Sequence, residues 1–120
     1  MNSRELLKEC VRIAKENPER KADCVYVKEG EPCCLVGRAL VSLGTSIHDL
    51  SAIDMGLIPG LSAWPENPDN FKAVGLDYCA EGEPFFEAVC ALQEYQDQEH
   101  SWGDALERVA EGTELNLEEL

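Results

Sequence analysis

Apolar residues recur every three to four positions through Leu6, Leu7, Cys10, Val11, Ile13 and Ala14, with Lys8, Glu9, Arg12 and Lys15 on the intervening positions. That period matches one buried face of an α-helix. Asn2 and Glu5 stand three apart as a capping box, and Asn17-Pro18 supplies the stop, so the pattern predicts a helix over about residues 3–16. Glu19 to Asp23 reads as a polar loop. Cys24-Val25-Tyr26-Val27-Lys28 is β-branched and aromatic and runs into the turn residues Glu29-Gly30-Glu31-Pro32, which predicts a small β-hairpin near residues 24–34.

The helical period returns at Leu35, Val36, Ala39, Leu40 and Leu43, with Gly44 placed to end the helix. Gly37 inside this stretch costs roughly 1 kcal/mol against alanine and marks close backbone packing. Ser46 with Asp49 caps a third short helix through Ile47, Leu50 and Ile53, ending at Gly56. Residues 56–69, with Pro59, Gly60, Pro65 and Pro68, read as a loop whose Leu57, Ile58, Leu61 and Trp64 lie across the core; Asn67-Pro68 then opens a helical turn through Phe71, Ala73 and Val74. Glu83-Pro84 opens the principal C-terminal helix, with Phe85, Phe86, Val89, Cys90, Leu92, Gln93 and Gln96 on one broad face, and it breaks near His100. A last helix, capped by Ser101 and Asp104, carries Ala105, Leu106, Val109 and Ala110 to Gly112. The expected fold is mainly helical α+β: about five short helices around one core with a small hairpin. Residues 1–112 form one domain, and the acidic tail 113–120 either frays or docks through Leu115 and Leu117.

Charge is unevenly spread over the 120 residues. Residues 1–40 hold eight of the ten Lys/Arg and seven of the 24 Asp/Glu, whereas residues 41–120 hold only Lys72 and Arg108 among the acids, within a formal net charge of −14. This balance argues against nonspecific binding to nucleic acid or anionic lipid. No apolar run approaches the roughly 20 residues of a membrane helix. The first nine residues are charged throughout and lack the apolar centre of a secretory signal, so the expected location is the cytoplasm and the six cysteines are expected to be reduced.

Candidate chemistry is sparse. Zinc is disfavoured because no Cys-x2-Cys pair occurs, and the adjacent Cys33 and Cys34 are poorly placed to join Cys24 and His48 on one tetrahedral ion; neither a metal nor another cofactor is expected. Glycine-rich phosphate motifs are absent. Cys34 sits where a turn feeds a helix N-terminus, a position that lowers a thiol pKa, and could work with His48 or His100 and Asp97; a cysteine packed under the first turn of a buried helix is the plainer reading. Gln93, Gln96, Asp97 and Trp102 read as a helix-helix corner in which Trp102 fills the core and Asp97 binds backbone N–H groups. Arg20, Lys21, Tyr26 and Lys28 read as a salt-bridged loop, or as a patch that receives the acidic tail of another copy.

The string Asp23-Cys24-x-Tyr26, Gly30-x-Pro32-x-Cys34-Leu35-Val36-Gly37-x-Ala39-Leu40-x-x-Leu43-Gly44, followed by Gln93-x-x-Gln96-Asp97 and Trp102-x-x-Ala105, resembles a family of small proteins encoded by actinobacterial genomes and by their bacteriophages, mycobacteriophages among them. The resemblance spans most of residues 3–110, and its specific part is the Pro-x-Cys-Leu-Val-Gly segment. It implies a phage accessory protein acting inside a bacterial host, and it carries over no activity and no catalytic residue. Cys34 and Gly37 match its recurrent cysteine and glycine, while the acidic C-terminal two-thirds is not part of the pattern.

The sequence therefore points to a non-enzymatic binding protein that meets a basic host or phage protein through Glu87, Glu94, Asp97, Glu99, Asp104, Glu107 and Glu111, inhibiting a nucleic-acid-binding partner by charge mimicry. Two alternatives stand beside it: a small thiol enzyme built on Cys34, and a homo-oligomeric structural protein in which the basic N-terminal third of one chain meets the acidic remainder of another.

Overall fold

The computed structural model describes residues 1–21, 26–56, 72–77 and 80–120. Five α-helices occur among them: α1 (Ser3–Glu16), α2 (Leu35–Ser42), α3 (Ile47–Asp54), α4 (Glu83–Asp97) and α5 (Trp102–Gly112). The strands β1 (Val27–Lys28) and β2 (Glu31–Pro32) pair antiparallel, Val27 opposite Pro32 and Lys28 opposite Glu31. The chain is thus a mainly helical α+β protein, as its periodicities lead one to expect. Cys24 and Val25, the loop from Leu57, the Asn67-Pro68 cap and Cys79 lie outside the described residues.

Local chemistry sets the helix boundaries. Asn2 Oδ1 accepts the Glu5 N–H at 2.8 Å, Ser46 Oγ the Asp49 N–H at 3.1 Å, and Ser101 Oγ the Asp104 N–H at 3.2 Å. Each cap satisfies an N–H that the first helical turn leaves without a partner. The hairpin turns through Glu29 (φ 55°) and Gly30 (φ 81°), and positive φ at both positions gives a two-residue turn whose twist suits short antiparallel strands. Asp54, the last residue of α3, holds the hairpin in place: its two carboxylate oxygens accept the Tyr26 and Val27 N–H groups, each at 2.9 Å.

The apolar face of α1 packs against α2, α4 and α5. Leu6, Leu7, Leu35, Leu40, Leu92 and Trp102 are among the fully buried side chains at this centre, and Cys10 is buried with them as a small core residue. The tail docks instead of fraying. Leu117 is buried against the same core, and Lys15 reaches Glu118 at 2.8 Å. No helix among the described residues is long and apolar enough to cross a membrane.

Candidate functional site

Two regions carry the residues that the sequence singles out: the N-terminus of α2 where it meets α4, and the outer faces of α4 and α5.

At the first, the opening turn of α2 presents the N–H groups of Leu35, Val36 and Gly37 to the interior. Gln96 Oε1 accepts the Leu35 N–H at 2.8 Å, Gln93 Oε1 the Val36 N–H at 3.4 Å, and Cys34 Sγ the Gly37 N–H at 3.2 Å. All three donors are thereby satisfied without water, two of them by a helix some 60 residues away in sequence. Asp97 orients the glutamines, its Oδ1 accepting from Gln96 Nε2 at 2.9 Å and from Gln93 Nε2 at 3.3 Å. It is the glutamines that carry this network onward to the backbone of α2. Gly37 is required by proximity: a Cβ there would stand 3.0 Å from Cys34 Sγ and 3.1 Å from the Tyr26 carbonyl oxygen.

Cys34 is buried beneath this network, as in the plainer reading of a cysteine packed under the first turn of a helix. Burial outweighs the helix N-terminus and pushes the Cys34 thiol up to about 12, with the Gly37 N–H and Gln93 offsetting only part of the rise and Asp97 and Cys33 adding to it. Neither His48 nor His100 is among the groups acting on it. His48 is exposed on α3, and His100 Nδ1 lies 2.6 Å from Asp104 with its ring edge-on to Tyr95. No hydrogen bond joins Cys34 to either histidine among the described residues. Alkylation of the folded protein near neutral pH should reach Cys34 on the order of 10³-fold more slowly than the same thiol in the denatured chain, with half-buried Cys33 modified first. Peptide mapping against iodoacetamide exposure time checks this, and a Cys34 rate equal to that of a free thiol would restore the nucleophile. Cys10, Cys33, Cys34 and Cys90 are free thiols, and no group of three Cys, His, Asp or Glu able to hold a metal ion occurs among the described residues.

The second region carries the acidic side chains. Glu87 and Glu94 are exposed on α4, Glu99 just beyond it, and Glu107 and Glu111 on α5. Among the described residues none of these five stands within ion-pair distance of a basic group. Asp97 and Asp104 are differently occupied: the first holds the two glutamines, and the second pairs with Arg108 at 2.9 Å and with His100. The hydrogen bond from Arg108, and less strongly that from His100, keeps the Asp104 carboxyl below its ordinary value. A groove of about 230 Å³ runs between the two helices, lined by Glu87, Ala91 and Tyr95 on one side and Arg108, Val109 and Gly112 on the other. Arg108 lies over the Tyr95 ring, 5.9 Å from its centroid.

The basic loop reaches across to the opposite end of the chain. Arg20 does not form a local salt bridge among the described residues; its guanidinium lies 5.2 Å from the centroid of Trp102, and that of Arg38 lies 5.6 Å from the same ring. Sequence reading assigned Trp102 to the core correctly, but the two arginines that cover it are 18 residues apart and carry no shared motif. No family model matches the chain, and no curated protein or solved structure matches it either.

Proposed function

We propose that this is a binding protein whose α4–α5 hairpin presents an acidic face to a basic protein partner. The observation that supports this reading best is the set of exposed carboxylates Glu87, Glu94, Glu99, Glu107 and Glu111 on and beside α4 and α5, none of them paired with a basic group among the described residues, with Glu87 lining the groove between the two helices. Carboxylates fixed on rigid helices form a directed negative field, which speeds encounter with a cationic surface and disfavours neutral ones. Glu99 adds to it at φ 70°, a left-handed conformation that glycine adopts more readily, so the contribution of a glutamate there is its exposed charge. Asp97 and Asp104 hold Gln93, Gln96, Arg108 and His100 in place beside it.

The resemblance to phage-encoded proteins sets the partner inside a bacterial cell, and a cationic groove made for phosphates is the surface that such carboxylates would occupy. Buried Cys34 weighs against the thiol enzyme. Capture from bacterial lysate by the tagged protein at low and high salt, with identification of what is retained, tests the reading. One basic protein lost as salt rises is the expected result. Reversing Glu87, Glu94, Glu107 and Glu111 to lysine should cut its association rate at low salt roughly 10-fold or more and flatten the salt dependence; unchanged binding by that variant would overturn the proposal.

A further inference from the structure

Trp102 is fully buried, yet its indole Nε1–H has no hydrogen-bond partner among the described residues, and neither has the buried Nε–H of Arg38. Native interiors leave few such donors, and a pair of them beside one ring calls for an acceptor. Both guanidiniums that cover the indole are also without a carboxylate at ion-pair distance among the described residues. The arrangement is fixed from the backbone outward. Arg20 is held by its own carbonyl, which accepts the Trp102 N–H at 2.9 Å, and Pro18 O accepts the Gly103 N–H at 2.8 Å, so the loop after α1 is pinned to the start of α5. Arg38 also lines a cavity of about 360 Å³ between α1, β2 and α2, where Arg12 is shared between Glu9 and Glu16 and Glu31 acts on Arg38 from beyond ion-pair distance. Over the indole itself, the two guanidiniums outnumber the single carboxylate, Glu31, that acts on Arg38.

From this juxtaposition we propose that Arg20, Arg38 and the Trp102 indole N–H form a binding site for a phosphate group, free or as a small monoester. Three donor groups on three side chains match the three terminal oxygens of a phosphate better than the two of a carboxylate, and guanidinium forks bind such oxygens in pairs. Its two cations come from the basic N-terminal third of the chain, and none of its three side chains belongs to the acidic face.

Titration of the ¹⁵N-labelled protein with inorganic phosphate, with phosphoserine and with acetate, at constant ionic strength near neutral pH, follows the indole N–H resonance of Trp102 directly; Trp64→Phe identifies it. The expected result is a saturable downfield shift with at least one of the two phosphates and none with acetate or chloride. Tighter binding of inorganic phosphate assigns the free ion, and tighter binding of phosphoserine assigns a monoester. Arg20→Gln, at an exposed side chain, should weaken binding on the order of tenfold while leaving the other resonances in place. Arg38→Lys keeps the charge but loses the fork and should weaken it similarly; if that variant does not fold, Arg20→Gln decides alone. No saturable shift, an equal shift with acetate, or unchanged affinity in Arg20→Gln would overturn the site.

Discussion

Gly103→Ala lowers the stability of the protein by about 2 kcal/mol and its Tm by roughly 8 °C. A Cβ at this position would stand 2.8 Å from the Pro18 carbonyl oxygen and 2.9 Å from Pro18 Cβ. The obstacle is backbone and a proline ring, and neither can rotate away as a flexible side chain would. To admit the methyl group, the loop must retreat and stretch its hydrogen bonds to the Trp102 and Gly103 N–H groups. Alanine also gains roughly 1 kcal/mol of helix propensity, which the clash has to exceed. Gly112, at the other end of the same helix, provides the control. Nothing lies within 4 Å of a Cβ there, so Gly112→Ala should be neutral or stabilising. Thermal unfolding of the two variants compares one substitution in two settings, and an equal rise in Tm for both would mean that the loop after α1 is not held against α5.

Gln96→Leu costs about 2 kcal/mol, nearly independent of pH. The side chain is 1% exposed, and leucine fills a similar volume, so the loss comes from the buried Leu35 N–H left without an acceptor. Gln96→Glu separates the acceptor from the donor. Its carboxyl can still receive the Leu35 N–H, but when ionised it meets Asp97, to which the amide had donated. Burial and this like charge both raise the folded carboxyl above its unfolded value of about 4.3. A raised acid contributes stability that is fully present below the unfolded value and is lost as pH rises through the folded one. Urea unfolding at about pH 4.5 and pH 7 should therefore show Gln96→Glu approaching the parent protein at the lower pH and falling away at the higher, with Gln96→Leu equally impaired at both. A Gln96→Glu deficit that does not grow with pH would remove Asp97 from the network.

Features encoded within a few residues were legible in the sequence. Asn2, Ser46 and Ser101 cap as their spacing indicates, and α1 and α5 have the boundaries their apolar period suggests, because a cap needs only the residue three positions on. The alternation of glutamines and apolar residues on α4 likewise placed Gln93 and Gln96 on the inner face. What those glutamines do there was not legible, since their acceptor role depends on the first turn of α2, which only the tertiary fold brings alongside. Cys34 shows the same limit from the other direction. Its position at a helix N-terminus left an acidic thiol open beside the packed cysteine, and burial, a property of the assembled core, decides between them. Arg20 and Arg38 belong to unrelated stretches of sequence, and their meeting over Trp102 follows from the packing of α2 and α5 around α1.

Because α1 gives its apolar face to α2, α4 and α5, and the segment after α5 returns to it through Leu117 and Lys15–Glu118, this helix is present in the growing chain well before the elements that cover it. Its leucines have only a partial shelter while the middle of the chain is being translated. Native contacts of such wide sequence separation form late, so the fold closes after synthesis has passed residue 117 and not helix by helix during elongation.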